Sequence, residues 1–250
     1  MKQRLLFSFF SLFLLSITSL KSQITISIPT IQQEATSVWR TINDIAFFEK
    51  TGYTINLPDH PMIDTLIVKS KKGTFGSEDF ARIYQLLEEG VYSKKDYKKA
   101  RKKVKSQLKL IRQALDTLSA NKNNWNWDFK LFDTYEVVFT LYGSGGSYNS
   151  DNGQITLYTT PKGQFKSYKK PANTIIHEIV HIGIEESIIQ HHQVNHAMKE
   201  RIVDLMVKRL FGEWLPEYKL QDMGDYRMDE YLKRKNDVRS LNESVEKVLK

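Results

Sequence analysis

The stretch NTIIHEIVHIGIEESIIQHHQVNHAMKERIVD, residues 173–204, decides how the rest of the chain is read. Within it His177, Glu178 and His181 spell H-E-x-x-H inside an apolar run with helical spacing. Residues four apart share one face of a helix. His177 and His181 are thereby placed to hold one metal ion, with the Glu178 carboxylate beside it. Two imidazoles that bind zinc and an acid that activates water form a recognised chemical set. Ile175, Ile176, Ile179, Val180, Ile182 and Ile184 surround the motif, so a buried helix is expected. Asn173 or Thr174 is expected to cap it, with Pro171 in the turn before. Buried imidazoles and carboxylates are costly without partners. For either histidine alone a hydrogen-bonded core residue is the simpler reading; the spaced set, joined by the acids of the next helix, favours a metal.

A catalytic zinc site needs three protein ligands and an open position. A second helix is expected from about Asn195 through Leu210, on the spacing of Met198, Ile202, Val203, Leu205, Met206 and Leu210. Glu200 falls in its early turns, 19 residues after His181, and Asp204 one turn later. Glu200 as third ligand, and Asp204 as outer acceptor for an imidazole N–H, would use both acids. Glu185 shares the helix face of both histidines. Three consecutive turns of a straight helix, however, span about 11–12 Å of rise. Glu185 is therefore expected as a hydrogen-bonding acid near the site. His191, His192 and His196 read as loop residues, and His196 is the rival third ligand.

These residues resemble the gluzincins, the thermolysin-like branch of zinc metallopeptidases. His177, Glu178, His181, Glu200 and Asp204 fall on the positions of that pattern over about thirty residues. Lys199 stands where the family usually has Asn before the third-ligand Glu. The metzincin extension fails, because Ile184 and Ser187 occupy its later positions. The resemblance implies a zincin-like α+β fold. Its parts would be a small, mostly antiparallel sheet, an active-site helix and a following helix that carries the third ligand. It implies one Zn2+ ion and Glu178 as general base. It also implies a later His or Tyr as oxyanion donor; no His comes after His196, so Tyr218 and Tyr226 are the candidates. By position, residues 154–159 would be the strand that borders the cleft and pairs with extended substrate.

Residues 1–22 read as a secretory signal peptide: Lys2 and Arg4, an apolar run from Leu5 to Leu20, then small residues. Export to the periplasm or outside the cell is expected, without stable membrane insertion after cleavage. Removing Lys2, Arg4 and Lys21 with the leader lowers the formal charge from +8 to +5. With no cysteine in the chain, thiolate ligands and nucleophiles are excluded. The remaining 23–250 read as one domain, α/β to about residue 170 and helical over 171–250. A basic block from Lys94 to Lys109 reads as a solvated helix face; no nucleic-acid module accompanies it, and no nucleic-acid partner is expected.

In chain order, strands are expected at Gln23–Thr30, Leu66–Val68, Tyr135–Tyr142 and Gln154–Thr160, the last two as a hairpin joined through the turn at Gly143–Ser147. Helices are expected at 31–50 and 77–89 and, unbroken, from Lys95 to Leu118. The leading functional expectation is a secreted metallopeptidase, a hydrolase acting on a peptide or protein substrate. The alternative is a non-catalytic exported protein with a structural or vestigial zinc site. An anionic-polymer binder using the Lys-rich helix ranks third.

Overall fold

A computed structural model describes residues 22–166, 168–222 and 224–250. The expected leader lies outside them but for Ser22. The fold is α+β. Strands β1 (Gln23–Ile26), β2 (Thr134–Thr140), β3 (Gly146–Asn149) and β4 (Gln154–Tyr158) form a sheet in the order β1-β2-β4-β3. The helices are α1 (Ile31–Asn43), α2 (Ile45–Thr51), α3 (Pro61–Lys71), α4 (Phe80–Leu86), α5 (Lys98–Lys105), α6 (Leu108–Lys122), α7 (Pro171–Ile184), α8 (His196–Phe211) and α9 (Leu241–Leu249). Short 3-10 and π turns join several of them. No helix among the described residues is long and apolar enough to cross a membrane.

The sheet corrects two expectations. It is mixed rather than mostly antiparallel: β1 pairs β2 in parallel and β2 pairs β4 in parallel, while only β3 and β4 are antiparallel. The expected hairpin of Tyr135–Tyr142 with Gln154–Thr160 is therefore a parallel ladder, Glu136 opposite Gln154 and Thr140 opposite Tyr158. The segment read as a turn holds the strand β3, Gly-Ser-Tyr-Asn. It has no apolar alternation to announce it, and it takes the outer edge. β4 is flanked on both sides, so the sheet edge on the side of the cleft belongs to residues 146–149 and not to 154–159.

Leu66–Val68 lies inside a helix, not a strand. Pro61 occupies the first turn of α3 and the His60 ring accepts the Met62 N–H at 3.1 Å. These start signals outweigh the apolar run, in which Leu66 is fully buried, Ile67 is half-buried against the core and Val68 is 49% exposed. The expected 31–50 helix is two, α1 and α2, separated at Asp44. The expected Lys95–Leu118 helix also breaks, at Ser106–Gln107. That break has a use: the Gln107 side-chain carbonyl accepts the Ala172 N–H at 2.9 Å. A residue 65 positions away thus satisfies one of the orphan donors at the start of α7. Asn173 and Thr174, expected as caps, lie within the helix, whose N-cap is Lys170.

All fourteen residues of α7 are buried. Its isoleucines and valine lie on several sides of the helix, which suits an interior position, and α7 packs against β3, β4, α6 and α8. Gly183 is what lets this happen on one side. A Cβ there would stand 2.0 Å from the Phe129 ring. α8 starts at the Asn195 side chain, which accepts the Met198 N–H at 2.9 Å.

Candidate metal centre

α7 presents the two imidazoles one turn apart, and α8 brings Glu200 up to them. His177 Nε2 and His181 Nε2 stand 3.0 Å apart. Glu200 Oε2 lies 3.5 Å from the first and 3.4 Å from the second. Ligand atoms at ~2.0–2.1 Å from one tetrahedral ion stand about 3.3 Å from each other. The three donors are buried and converge as such a site requires. His177, His181 and Glu200 could hold a metal ion.

The surroundings fit that reading. Asp204 does not reach His177 directly: Nδ1 to Oδ1 is 3.5 Å. Tyr218 stands between them, its hydroxyl 2.6 Å from His177 Nδ1 and 2.6 Å from Asp204 Oδ1. A carboxylate only accepts, so the phenol proton goes to Asp204. The phenol oxygen then accepts the Nδ1 proton of His177. This relay leaves the Nε2 lone pair of His177 free to face Glu200 and His181, as ligating imidazoles are held elsewhere. Tyr218 is buried behind the ring with its one proton committed, away from the cleft. Tyr226, the other oxyanion candidate, is 55% exposed, donates to the Asp222 carbonyl at 2.6 Å and does not line the cleft.

Gln221 holds Glu200 from the other side. Its Nε2 donates to Glu200 Oε2 at 3.1 Å, and its backbone N–H donates to Asp204 Oδ2 at 2.6 Å. His181 is held by stacking: the Tyr148 ring lies parallel to it at 4.9 Å. Tyr148 in turn donates to Glu185 at 2.6 Å and accepts from Lys199 at 3.2 Å. His181 Nδ1 is buried with no partner among the described residues. His196 reaches only the second oxygen of Glu200, at 3.7 Å, and stays outside the converging set. His192 bonds Asn242 at 2.8 Å, well removed in the fold. Tyr148 is the only aromatic residue in the small, polar run Gly143–Asp151, which is a faint signal in the sequence. Gln221 lies in irregular chain and carries none.

Burial and neighbouring charges shift the titration of these groups. Burial disfavours charge on Glu200, yet the two imidazoles hold its carboxyl far below the usual range. The basic groups within 4 Å of it among the described residues are the imidazoles of His177, His181 and His196, not Lys or Arg. Burial pulls His181 down to about 4. Burial pulls at His177 too, but Glu200, Glu178 and Asp204 outweigh it and raise that imidazole. The Glu178 carboxyl receives no hydrogen bond from a described residue, and burial pushes it up to about 7. β3 passes so close that a Cβ on Gly146 would stand 2.3 Å from Glu178 Oε1.

These groups open onto a cleft of about 1050 Å3. One wall is Gly145–Tyr148, another the aromatic group Phe47, Phe48 and Tyr53, and a third Lys219–Asp222. No family model matches the chain, and neither a curated protein nor a solved structure matches it.

Proposed function

We propose that the chain is an exported zinc-dependent peptidase with a zincin-like arrangement of the gluzincin kind. The observation that carries this reading is the triangle of donor atoms on His177, His181 and Glu200, set beside a buried carboxylate without hydrogen-bond donors. Two imidazoles disfavour the hard, oxygen-seeking calcium and magnesium ions. Imidazole and carboxylate at these spacings suit zinc. When bound, zinc supplies Lewis acidity: it polarises a carbonyl and lowers the pKa of water toward ~7.

The chain's own residues do the rest. Glu178 takes the proton from the attacking water and returns it to the leaving amine, a role open to a buried carboxylate that lines the cleft. The Tyr218–Asp204 relay keeps His177 in one tautomer and Gln221 keeps Glu200 aimed. The free edge of β3 supports a peptide as substrate, because an extended chain can add to a sheet edge by main-chain hydrogen bonds. That the three donors line a large cleft supports a catalytic site over a closed structural one. The leader expected over residues 1–22 supports export.

The test is a peptide mixture incubated with the purified, zinc-loaded protein and read for new termini by mass spectrometry. Cleavage is expected, abolished by a chelator and by Glu178→Gln, with the zinc content of that variant unchanged. Equal cleavage by wild type and Glu178→Gln overturns the reading.

A further inference from the structure

Beside the metal cleft lies a second cavity, of about 700 Å3, between the Thr54–Asn56 strip, the loop residues 160–166 with Lys169, and α5. Lys103, Lys166 and Lys169 all line it, and no acidic residue does. Among the described residues none of the three is in a salt bridge. Lys166 donates to the Thr54 carbonyl, and Lys103 lies over the Phe165 ring at 5.5 Å. Three ammonium groups are thus gathered around one hollow with their charge left for something else.

Two further observations give the hollow a role. First, it continues into the cleft. Lys169 lines both, and Gly143 on its wall leads directly to Ser144–Gly146 on the wall of the cleft. Second, it is seated on the most basic element of the chain. Six of the eight residues of α5 are Lys or Arg, and none is acidic. The loop rests on that helix closely: a Cβ on Gly163 would meet Lys99 Cβ at 2.7 Å and Ala100 N at 3.1 Å. A concave surface lined by one sign of charge concentrates ligands of the other sign.

We propose that this cavity is a subsite for an acidic side chain of a peptide that also runs through the metal cleft. The inference rests on the cleft being a peptide site, and it sharpens that reading into a preference for acidic substrates. A flexible stem ending in a carboxylate fits three compact cations, whereas a neutral amide of the same shape leaves them unpaired.

The test needs neither metal nor turnover. Two fluorescein-labelled ten-residue peptides, identical but for Glu or Gln at the acidic positions, are titrated into Glu178→Gln protein and followed by anisotropy, with and without chelator. The Glu peptide is expected to bind at least tenfold more tightly, with the advantage shrinking in 0.5 M salt. The triple change Lys103→Gln, Lys166→Gln, Lys169→Gln is expected to erase the advantage. The same charge removed at Lys94, Lys95 and Lys98 is expected to leave most of it. If the triple variant fails to fold by circular dichroism, Lys103→Gln alone still serves, with at least a threefold loss expected. Equal affinity for the two peptides overturns the subsite, as does equal loss in the cavity and control variants. Acid preference without any cleavage by wild type would keep the subsite and remove the peptidase; cleavage without acid preference would do the reverse.

Discussion

Glu34 and Glu178 are carboxylates sunk in the interior, and both abut the sheet. Glu34, on α1, meets the end of β2; Glu178, on α7, meets the start of β3 a few residues later. Glu34 is fully buried and accepts hydrogen bonds from the Tyr97 hydroxyl, from Thr140 Oγ1 at 2.5 Å and from the Leu141 N–H at 2.9 Å. Glu178 is 6% exposed, lines the cleft and accepts none from a described residue. Burial raises the pKa of both, and the donors around Glu34 work against that rise. Burial of an acid is therefore no sign of chemistry in itself. A saturated carboxylate ties two elements together, whereas an unsatisfied one beside a cleft is available to take a proton.

The contrast can be broken by exchanging the losses. Glu178→Gln is expected to lower peptide hydrolysis by ~10²–10⁴-fold, the range for a lost general base, while the thermal midpoint barely moves. Glu34→Ala is expected to do the opposite. It strands three buried donors and should cost about 3–5 kcal/mol of stability in urea denaturation, with turnover per folded molecule retained. If the two variants fail in the same assay, the distinction is void.

A smaller effect is expected behind the imidazole. Tyr218→Phe removes the group that orients His177, and zinc affinity in a competition titration should fall ~10–100-fold. Unaltered affinity would mean that the relay through Asp204 does nothing for the site. Gly146→Ala comes next. The added methyl must displace Glu178 or the strand, so kcat should fall about tenfold with zinc content kept. The least effect concerns pH. Burial raises Glu34 above its ordinary 4.5, so the native state holds that proton more tightly than the unfolded chain. Its contribution to stability is complete below pH ~4.5 and is lost as pH rises through the folded value. Wild type should therefore lose urea midpoint over that window relative to Glu34→Gln, and a parallel pH course in the two proteins would refute the assignment.

The same contrast shows how much could be read from the chain. The H-E-x-x-H run, the apolar spacing after Asn195 and the placing of Glu200 and Asp204 are local and periodic, and helices do carry them, though α7 starts at Pro171, ahead of the caps expected at Asn173 or Thr174. β3 has no such signal, so a three-strand arrangement at Thr134–Tyr158 reads as a two-strand hairpin. Leu66–Val68 reads as a strand because side-chain branching is visible locally, while the ring of His60 acting as a cap is not. Tyr218 and Gln221 come to the site from irregular chain beyond α8, and Gln107 meets α7 only through a helix break. Such residues are placed by tertiary packing, which no periodicity announces. Glu34 illustrates the limit: it is one acid in a helical pattern with no motif around it, and only the donors of Tyr97, Thr140 and Leu141 show what it does.

One shared cation between α7 and α8 underlies the proposed chemistry. Crystals of the zinc-loaded protein, measured on both sides of the zinc absorption edge, test it most directly. The expected result is a single anomalous peak ~2.0–2.2 Å from His177 Nε2, His181 Nε2 and a Glu200 carboxylate oxygen. A difference map without that peak, or with Glu200 turned away from the imidazoles and the metal held elsewhere, would contradict it.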